Sequence, residues 1–361
     1  MSGHRPVLYG LKLSYFTGKL EGYLRAKGIV HDYVELTTAE FRRCAKATGV
    51  AQMPQLEMPD GRWLTDTTPI IAHFEAAGEG PRLSPAQPAA AFISLFLEDL
   101  FDEWLWRPAL YYRWAFKDDA RLMSARIAQT MLRDMKAPYF AKRRFILGRQ
   151  KRVYLNEDGV TDTTKDQIEA LYLDTLDALE PVFAARPFLF GERPCEADFG
   201  LFGPMFRHFS IDPTPAAIMR DRAPNVAAWT ARLWATTPET LAGAPEIDAT
   251  PDDLSPYLKT AGDDYLIYLA ANAEAVASEK ADAEYAIRGV DWRVPASPYR
   301  AACLGALQTK FQSLSAEDQA AARAAMGEQT DILSAEPVAI ERSLGPSLRP
   351  TDRLWQREAG A

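Results

Sequence analysis

Ser14-Tyr15-Phe16-Thr17 follows an apolar, strand-like segment and opens a helical one. A hydroxyl at such a helix N-terminus can donate to a thiolate, and the helix dipole favours the same anion. Thiols in settings of this kind fall from a pKa of about 8.5 to roughly 3.5–7.5. A two-unit drop is about 2.7 kcal/mol of preference for the reactive form. A serine there also caps a helix with no ligand present, so the residues alone leave both readings open.

Two further pieces bear on a ligand. Met53-Pro54 begins a short strand after a polar loop. Proline cannot donate to a sheet ladder, and an X-Pro bond can be cis. A cis bond here turns the Met53 N–H and C=O away from the sheet, where an extended peptide pairs as an added strand. A trans proline at a sheet edge is the plainer alternative. In Leu64-Thr65-Asp66-Thr67-Thr68-Pro69-Ile70, Thr67 reads as a helix cap with Pro69 early in the helix. The N–H groups of that terminus suit a carboxylate and Asp66 suits an ammonium, although the cap also stands without a ligand.

The elements that position these residues alternate strand and helix. Strands are expected at Pro6–Leu11, His31–Leu36, Gln55–Met58 and Arg62–Thr65, and helices at Ser14–Lys27, Thr38–Ala47 (capped by Thr38) and Thr67–Ala77. Pro59-Asp60-Gly61 is the turn between the last two strands. The order β-α-β-α-β-β-α makes residues 1–80 an α/β domain. Gly78–Pro88 reads as a linker, and residues 81–260 as an all-α domain whose spacing is helical almost throughout. Its first helix carries Phe92, Leu95 and Phe96 on an apolar side and Asp99, Asp102 and Glu103 on an acidic one, and runs on to Trp106. Ile168–Phe183 and Pro224–Trp234 are further helices. Residues 261–361 form a small α+β extension: helix Asp264–Lys280, a hairpin Glu284–Val294 turning at Arg288-Gly289, helix Tyr299–Leu314, and a proline-bearing tail after Leu333.

Composition narrows the class. The chain has 361 residues, 47% hydrophobic and 25% charged, as expected of a folded globular protein. A net charge of −8 gives no global field for nucleic acid. Cys44, Cys195 and Cys303 are odd in number and widely spaced, which fits neither a disulfide framework nor a zinc site. His4, His31, His73 and His208 lack metal spacing. Without a secretory leader or a bilayer-length apolar run, the sequence reads as soluble and cytoplasmic. The basic cluster Lys142-Arg143-Arg144 and Arg149–Arg152 reads as a solvated helix end, with attraction of an anionic substrate as the alternative. Trp104, Trp106, Tyr111, Tyr112 and Trp114 form an aromatic stripe that is either a pocket wall or core. Gly18 and Gly22 share one helical face, read as close helix–sheet packing, with close approach of a ligand or partner to the backbone as the alternative.

Together the chemical pieces resemble the glutathione transferase family. The matching residues are Leu8-Tyr9-Gly10, Ser14-Tyr15-Phe16, Lys19, Leu24–Ile29, Met53-Pro54-Gln55-Leu56 and Asp60–Thr67, and the likeness continues at Phe188–Phe202, spanning about residues 6 to 240. The resemblance implies a thioredoxin-like domain with glutathione as co-substrate, activated as thiolate for attack on an apolar electrophile. It places Ser14 at the glutathione sulfur, Met53 and cis-Pro54 at the cysteinyl part, and Asp66 and Thr67 at the γ-glutamyl group. Arg42, Arg43 and Lys46 lie where a basic residue for the glycyl carboxylate is often found, without distinction among them. Tyr15 stands where serine-type members carry proline, and is the second candidate donor. Cys195 replaces the usual hydroxyl cap, leaving Asp198 without that partner. The resemblance also implies a cytoplasmic homodimer in detoxification, with no metal, nucleic acid or membrane partner. A non-catalytic binding or assembly protein on the same fold is the competing expectation.

Overall fold

A computed structural model describes residues 5–340. The first domain is β1 (Val7–Gly10), α1 (Tyr15–Lys27), β2 (Asp32–Glu35), α2 (Thr38–Thr48), β3 (Gln55–Glu57), β4 (Trp63–Thr65) and α3 (Thr67–Ala77). Its sheet has the order β2-β1-β3-β4, with β1 and β2 parallel and the other pairs antiparallel. This is the expected thioredoxin-like arrangement.

Local chemistry sets the ends. α1 starts at Ser14, whose side chain accepts from the Thr17 N–H, and stops at Gly28, held at φ 79°. α2 is capped by Thr37 rather than Thr38, because the Thr37 hydroxyl accepts from the Glu40 N–H at 3.1 Å. At α3 the expected cap also moves by one: Asp66 precedes the helix at φ 72°, and Thr67 is its first residue. Positive φ is uncommon for a non-glycine residue and costs backbone energy. Gly61, at φ 85°, closes the β3–β4 turn as the sequence indicates.

The helical domain contains α4 (Pro88–Glu103), α5 (Trp106–Ala115), α6 (Lys117–Thr130), α7 (Tyr139–Lys151), α8 (Lys165–Ala185), α9 (Glu196–Pro204), α10 (Pro213–Arg222) and α11 (Pro224–Ala235). The single helix expected to reach Trp106 breaks at Trp104-Leu105. Its acidic side does not face water: Glu98, Asp99, Asp102 and Glu103 are all buried. Glu98 and Asp102 receive the buried Lys19 ammonium from α1, joining the two domains. Gly18 and Gly22 serve the same joint, not the sheet. A Cβ on Gly18 would collide with the Arg207 side chain, and one on Gly22 would meet Phe202 Cε1 at 2.8 Å. Asp198 is not left unpartnered by Cys195: it accepts from the backbone N–H groups of Leu189 and Cys195 and from the Trp229 indole.

The first helix expected in the extension, α12 (Ser255–Ala277), starts earlier than Asp264 and crosses the expected boundary at residue 260, and β5 (Asp282–Ile287), β6 (Val290–Pro295), α13 (Pro298–Gln312) and α14 (Ala316–Ala325) follow it. Arg288 (φ 49°) and Gly289 (φ 78°) make the expected hairpin turn. The extension shares the core of the helical domain. Phe92 packs on Phe311 at 5.3 Å between centroids, and Trp104 lies 5.7 Å from Tyr268. Buried polar bonds stitch the same seam, Tyr265 to Asp99 at 2.6 Å and Arg300 to Glu103 at 3.1 Å, and Tyr299 ties the extension to Asp66 of the first domain at 2.9 Å. Of the tail after Leu333, the prolines at 346 and 350 lie outside the described residues. No helix among the described residues is long and apolar enough to cross a membrane.

Candidate functional site

The loop leaving β1 turns into α1 at Ser14, whose N–H bonds to the Leu11 carbonyl at 2.8 Å. Behind it, Arg113 of α5 donates to the Leu13 carbonyl at 2.8 Å and grips Asp212 through two bonds of 2.7 and 3.1 Å. This buried ion pair fixes the residue next to Ser14. Burial, followed by the Arg113 charge, pushes the His208 pKa well below the usual imidazole range, so that ring is neutral near pH 7.

Ser14 borders a cleft of about 160 Å³ between the domains. An enclosed cavity of about 150 Å³ holds benzene, so the space suits one aromatic ring. Trp106, Leu110 and Trp114 of α5, Ile146 of α7 and Tyr154 supply apolar walls, with Gln52 and Met53 on the first-domain side. The aromatic stripe therefore divides. Trp106 and Trp114 line the cleft, while Trp104, Tyr111 and Tyr112 belong to the core.

The two candidate hydroxyls part company. Tyr15 also borders the cleft, but its side chain is buried and its hydroxyl donates to the Phe101 carbonyl in α4. Ser14 is half-buried at the cleft wall. The Met53-Pro54 bond is cis. The β1–β3 ladder ends at Tyr9↔Gln55, so Met53 lies beyond the last paired residue.

Gln52 connects the cleft to the start of α3, since it borders the cleft and its amide donates to the Thr65 hydroxyl. Its Oε1, Gln55 Oε1 and Thr67 Oγ1 are buried and lack a hydrogen-bond partner among the described residues. Each such group costs about 1–3 kcal/mol unless a ligand or water pairs with it. Asp66 and Thr67 are both buried and do not line the ring-sized cleft itself.

The basic residues of α2 stand apart. Arg42 and Lys46 are exposed and line no part of the cleft. Arg43 pairs with Glu40 at 3.0 Å and lies over the Tyr9 ring at 4.7 Å. The residues that sequence reasoning missed are Arg113 and Tyr299. Nothing local marks either, because each acts on a partner about a hundred or more positions away. Among the described residues, no group of three His, Cys, Asp or Glu side chains is placed to hold a metal.

A family model for the glutathione S-transferase N-terminal domain matches residues 8–82, and one for the C-terminal domain matches residues 140–236. No curated protein matches the chain. Among solved structures, it is similar to the Tau class glutathione S-transferase MiGSTU from mango, Mangifera indica, at 17% identity and a TM-score of 0.43, covering 67% of this chain and 94% of that one. It is similar to the beta-etherase LigF from Sphingobium sp. strain SYK-6 at 19% identity and a TM-score of 0.45, covering 66% and 99%. A glutathione S-transferase from Methylobacterium radiotolerans in complex with glutathione sulfonate is 20% identical with a TM-score of 0.40, covering 68% and 98%.

Proposed function

The chain belongs to the glutathione S-transferase family, and from that premise we propose that it binds glutathione and activates it as a thiolate for attack on a small apolar electrophile. The observation that carries this reading is the position of Ser14, a hydroxyl capping α1 at the wall of an aromatic cleft. The glutathione thiol gives its proton to water. Ser14 Oγ–H donates to the resulting thiolate, with the α1 N-terminus contributing positive potential and Arg113 holding the Leu13 carbonyl next to Ser14. The sulfur lone pair forms the new bond to the electrophilic carbon, and the displaced group leaves with its bonding electrons. Trp106, Trp114 and Ile146 would hold the electrophile.

The peptide part of glutathione would run past Met53, whose N–H and C=O lie beyond the strand ladder. The orphaned Gln52 and Thr67 oxygens suit its polar groups, and Asp66 suits its ammonium. Arg42 and Lys46 serve the glycyl carboxylate only if their exposed side chains swing inward on binding.

The test is calorimetric titration with glutathione, together with thiol conjugation to a chloronitroaromatic electrophile, in wild type and Ser14→Ala. We expect binding in both proteins and a conjugation rate about a hundredfold lower in the variant, in the range for loss of one oxyanion-type donor. Absence of glutathione binding by the wild type would sink the proposal. A second reading, a binding or assembly protein without the reaction, draws on the engagement of Asp66 by the chain's own Tyr299. It expects no glutathione retention and no dependence on Ser14.

A further inference from the structure

Five large apolar side chains among the described residues are exposed, and four of them cluster: Met135 (39%), Tyr139 (46%), Phe140 (74%) and Phe145 (45%). They occupy the turn before α7 and its first two turns. The same stretch is strongly basic, since residues 136–156 hold seven Lys or Arg and no Asp or Glu, in a chain whose net charge is −8. Among the described residues, Lys136, Arg143, Arg144 and Lys151 have no acidic partner within 4 Å, whereas the buried cations Arg113, Arg207 and Arg300 are paired. Tyr139 and Arg143, and likewise Phe140 and Arg144, are four apart and so share a side of α7. Ile146 and Arg149 are the residues that α7 buries.

We propose that this face docks peripherally on an anionic lipid bilayer. Acidic headgroups complement the unpaired cations, while Phe140, Phe145 and Met135 enter the boundary between headgroups and acyl chains. The clustering matters: single exposed apolar residues are ordinary, but four within eleven residues, interspersed with basic side chains, mark an interaction segment. The group protrudes from a turn and a helix start. A single-stranded nucleic acid calls instead for a groove that tracks phosphates beneath flat stacking platforms. The net charge of −8 disfavours a bilayer of acidic lipid for the molecule as a whole, so the local basic stretch of α7 sets which side can approach it. Docking stands apart from the chemistry of the cleft. If the transferase reading holds, it also brings the cleft rim toward the bilayer, since Ile146, Arg149 and Gln150 of α7 line that cleft.

The test is co-sedimentation of the full-length protein with vesicles of phosphatidylcholine alone or mixed with phosphatidylserine, at low and high salt. Binding to the mixed vesicles is expected, with little to the neutral ones, and should fall about tenfold in R143E/R144E and on raising the salt. F140S/F145S should weaken it comparably while leaving the salt dependence in place. Circular dichroism melts of both variants establish that they fold. The idea is overturned if wild type ignores both vesicle types, or if the folded charge-reversal variant binds as wild type does. It is also overturned if the patch prefers a single-stranded oligonucleotide to the vesicles. A dimer in sedimentation velocity that F140S/F145S dissolves, with no vesicle binding, assigns the face to a second copy of the chain and likewise overturns it.

Discussion

The Tyr299 hydroxyl donates to Asp66 Oδ2 at 2.9 Å, joining the extension to the threshold of α3 across 233 residues of chain. Asp66 sits there at φ 72°, so its carboxylate is held both by an unusual backbone and by a partner from another part of the fold. On the transferase reading, the bond orients the carboxylate toward the ligand ammonium. Hydrogen bonds to charged groups contribute about 1.5–3 kcal/mol, so Tyr299→Phe should weaken glutathione binding about tenfold or more. The KM for the electrophile should stay unchanged. Tyr265→Phe, which removes a comparable buried hydroxyl from Asp99, is the control. Equal glutathione affinity in Tyr299→Phe and wild type would restrict Tyr299 to stability.

Ser14 and Tyr15 make a matched pair of deletions. Because the Tyr15 hydroxyl is committed to the Phe101 carbonyl, Tyr15→Phe should keep the conjugation rate and lose about 1 kcal/mol of stability. Rate and urea midpoint measured on the same preparation separate the two effects. A large rate loss in Tyr15→Phe, with Ser14→Ala intact, would exchange their roles.

Lys19 supplies the positive charge that pairs with Glu98 and Asp102 at the domain joint. Burial acts to lower its pKa, but Asp102 and Glu98 outweigh that and raise it, so the ammonium stays charged. Burial also lifts the Asp102 carboxyl well above the usual range, against the pull of Lys19. Lys19→Met strands these acids and should destabilise by about 3–5 kcal/mol in urea unfolding. Adding Glu98→Gln and Asp102→Asn should return much of the loss, because no buried charge is then left alone.

The buried acids set an unusual pH profile. Burial pushes the Glu196 carboxyl up to about 7, against bonds from Ser84 and Ser94 that act to lower it. Asp198 and Asp212 rise to about 6, also through burial first. Between the unfolded values near 4 and these folded values, the native chain holds protons that the unfolded chain has released. Stability from these groups is therefore complete below the unfolded values and is lost as pH rises through about 6 to 7. The melting temperature should climb as pH falls from 8 to 5.5. Glu196→Gln should flatten the upper part of that slope, and parallel profiles for the two proteins would show that another group is responsible.

Much of the first domain was legible because its signals are local. The Ser14 cap, the Gly28 stop, the Pro59-Asp60-Gly61 turn and the Arg288-Gly289 hairpin each depend on residues within a few positions of one another. Errors arose where neighbours compete. Thr37 and Thr38 are both able to cap, and the acidic side of α4 looks solvated until Lys19, Tyr265 and Arg300 are brought against it from other elements.

The sequence by itself determined the order of elements in the first domain, which follows from backbone preference and side-chain period, while its motifs carried the likeness to a known two-domain family and with it the short menu of thiolate donors. Only the tertiary structure decided which hydroxyl stays beside the cleft, that Arg113 braces the loop before it, and that Tyr299 reaches Asp66. Those outcomes depend on which distant groups share a buried space, where an unpaired charge or donor is too costly to leave alone. A linear chain carries no mark of such partners until packing has brought them together.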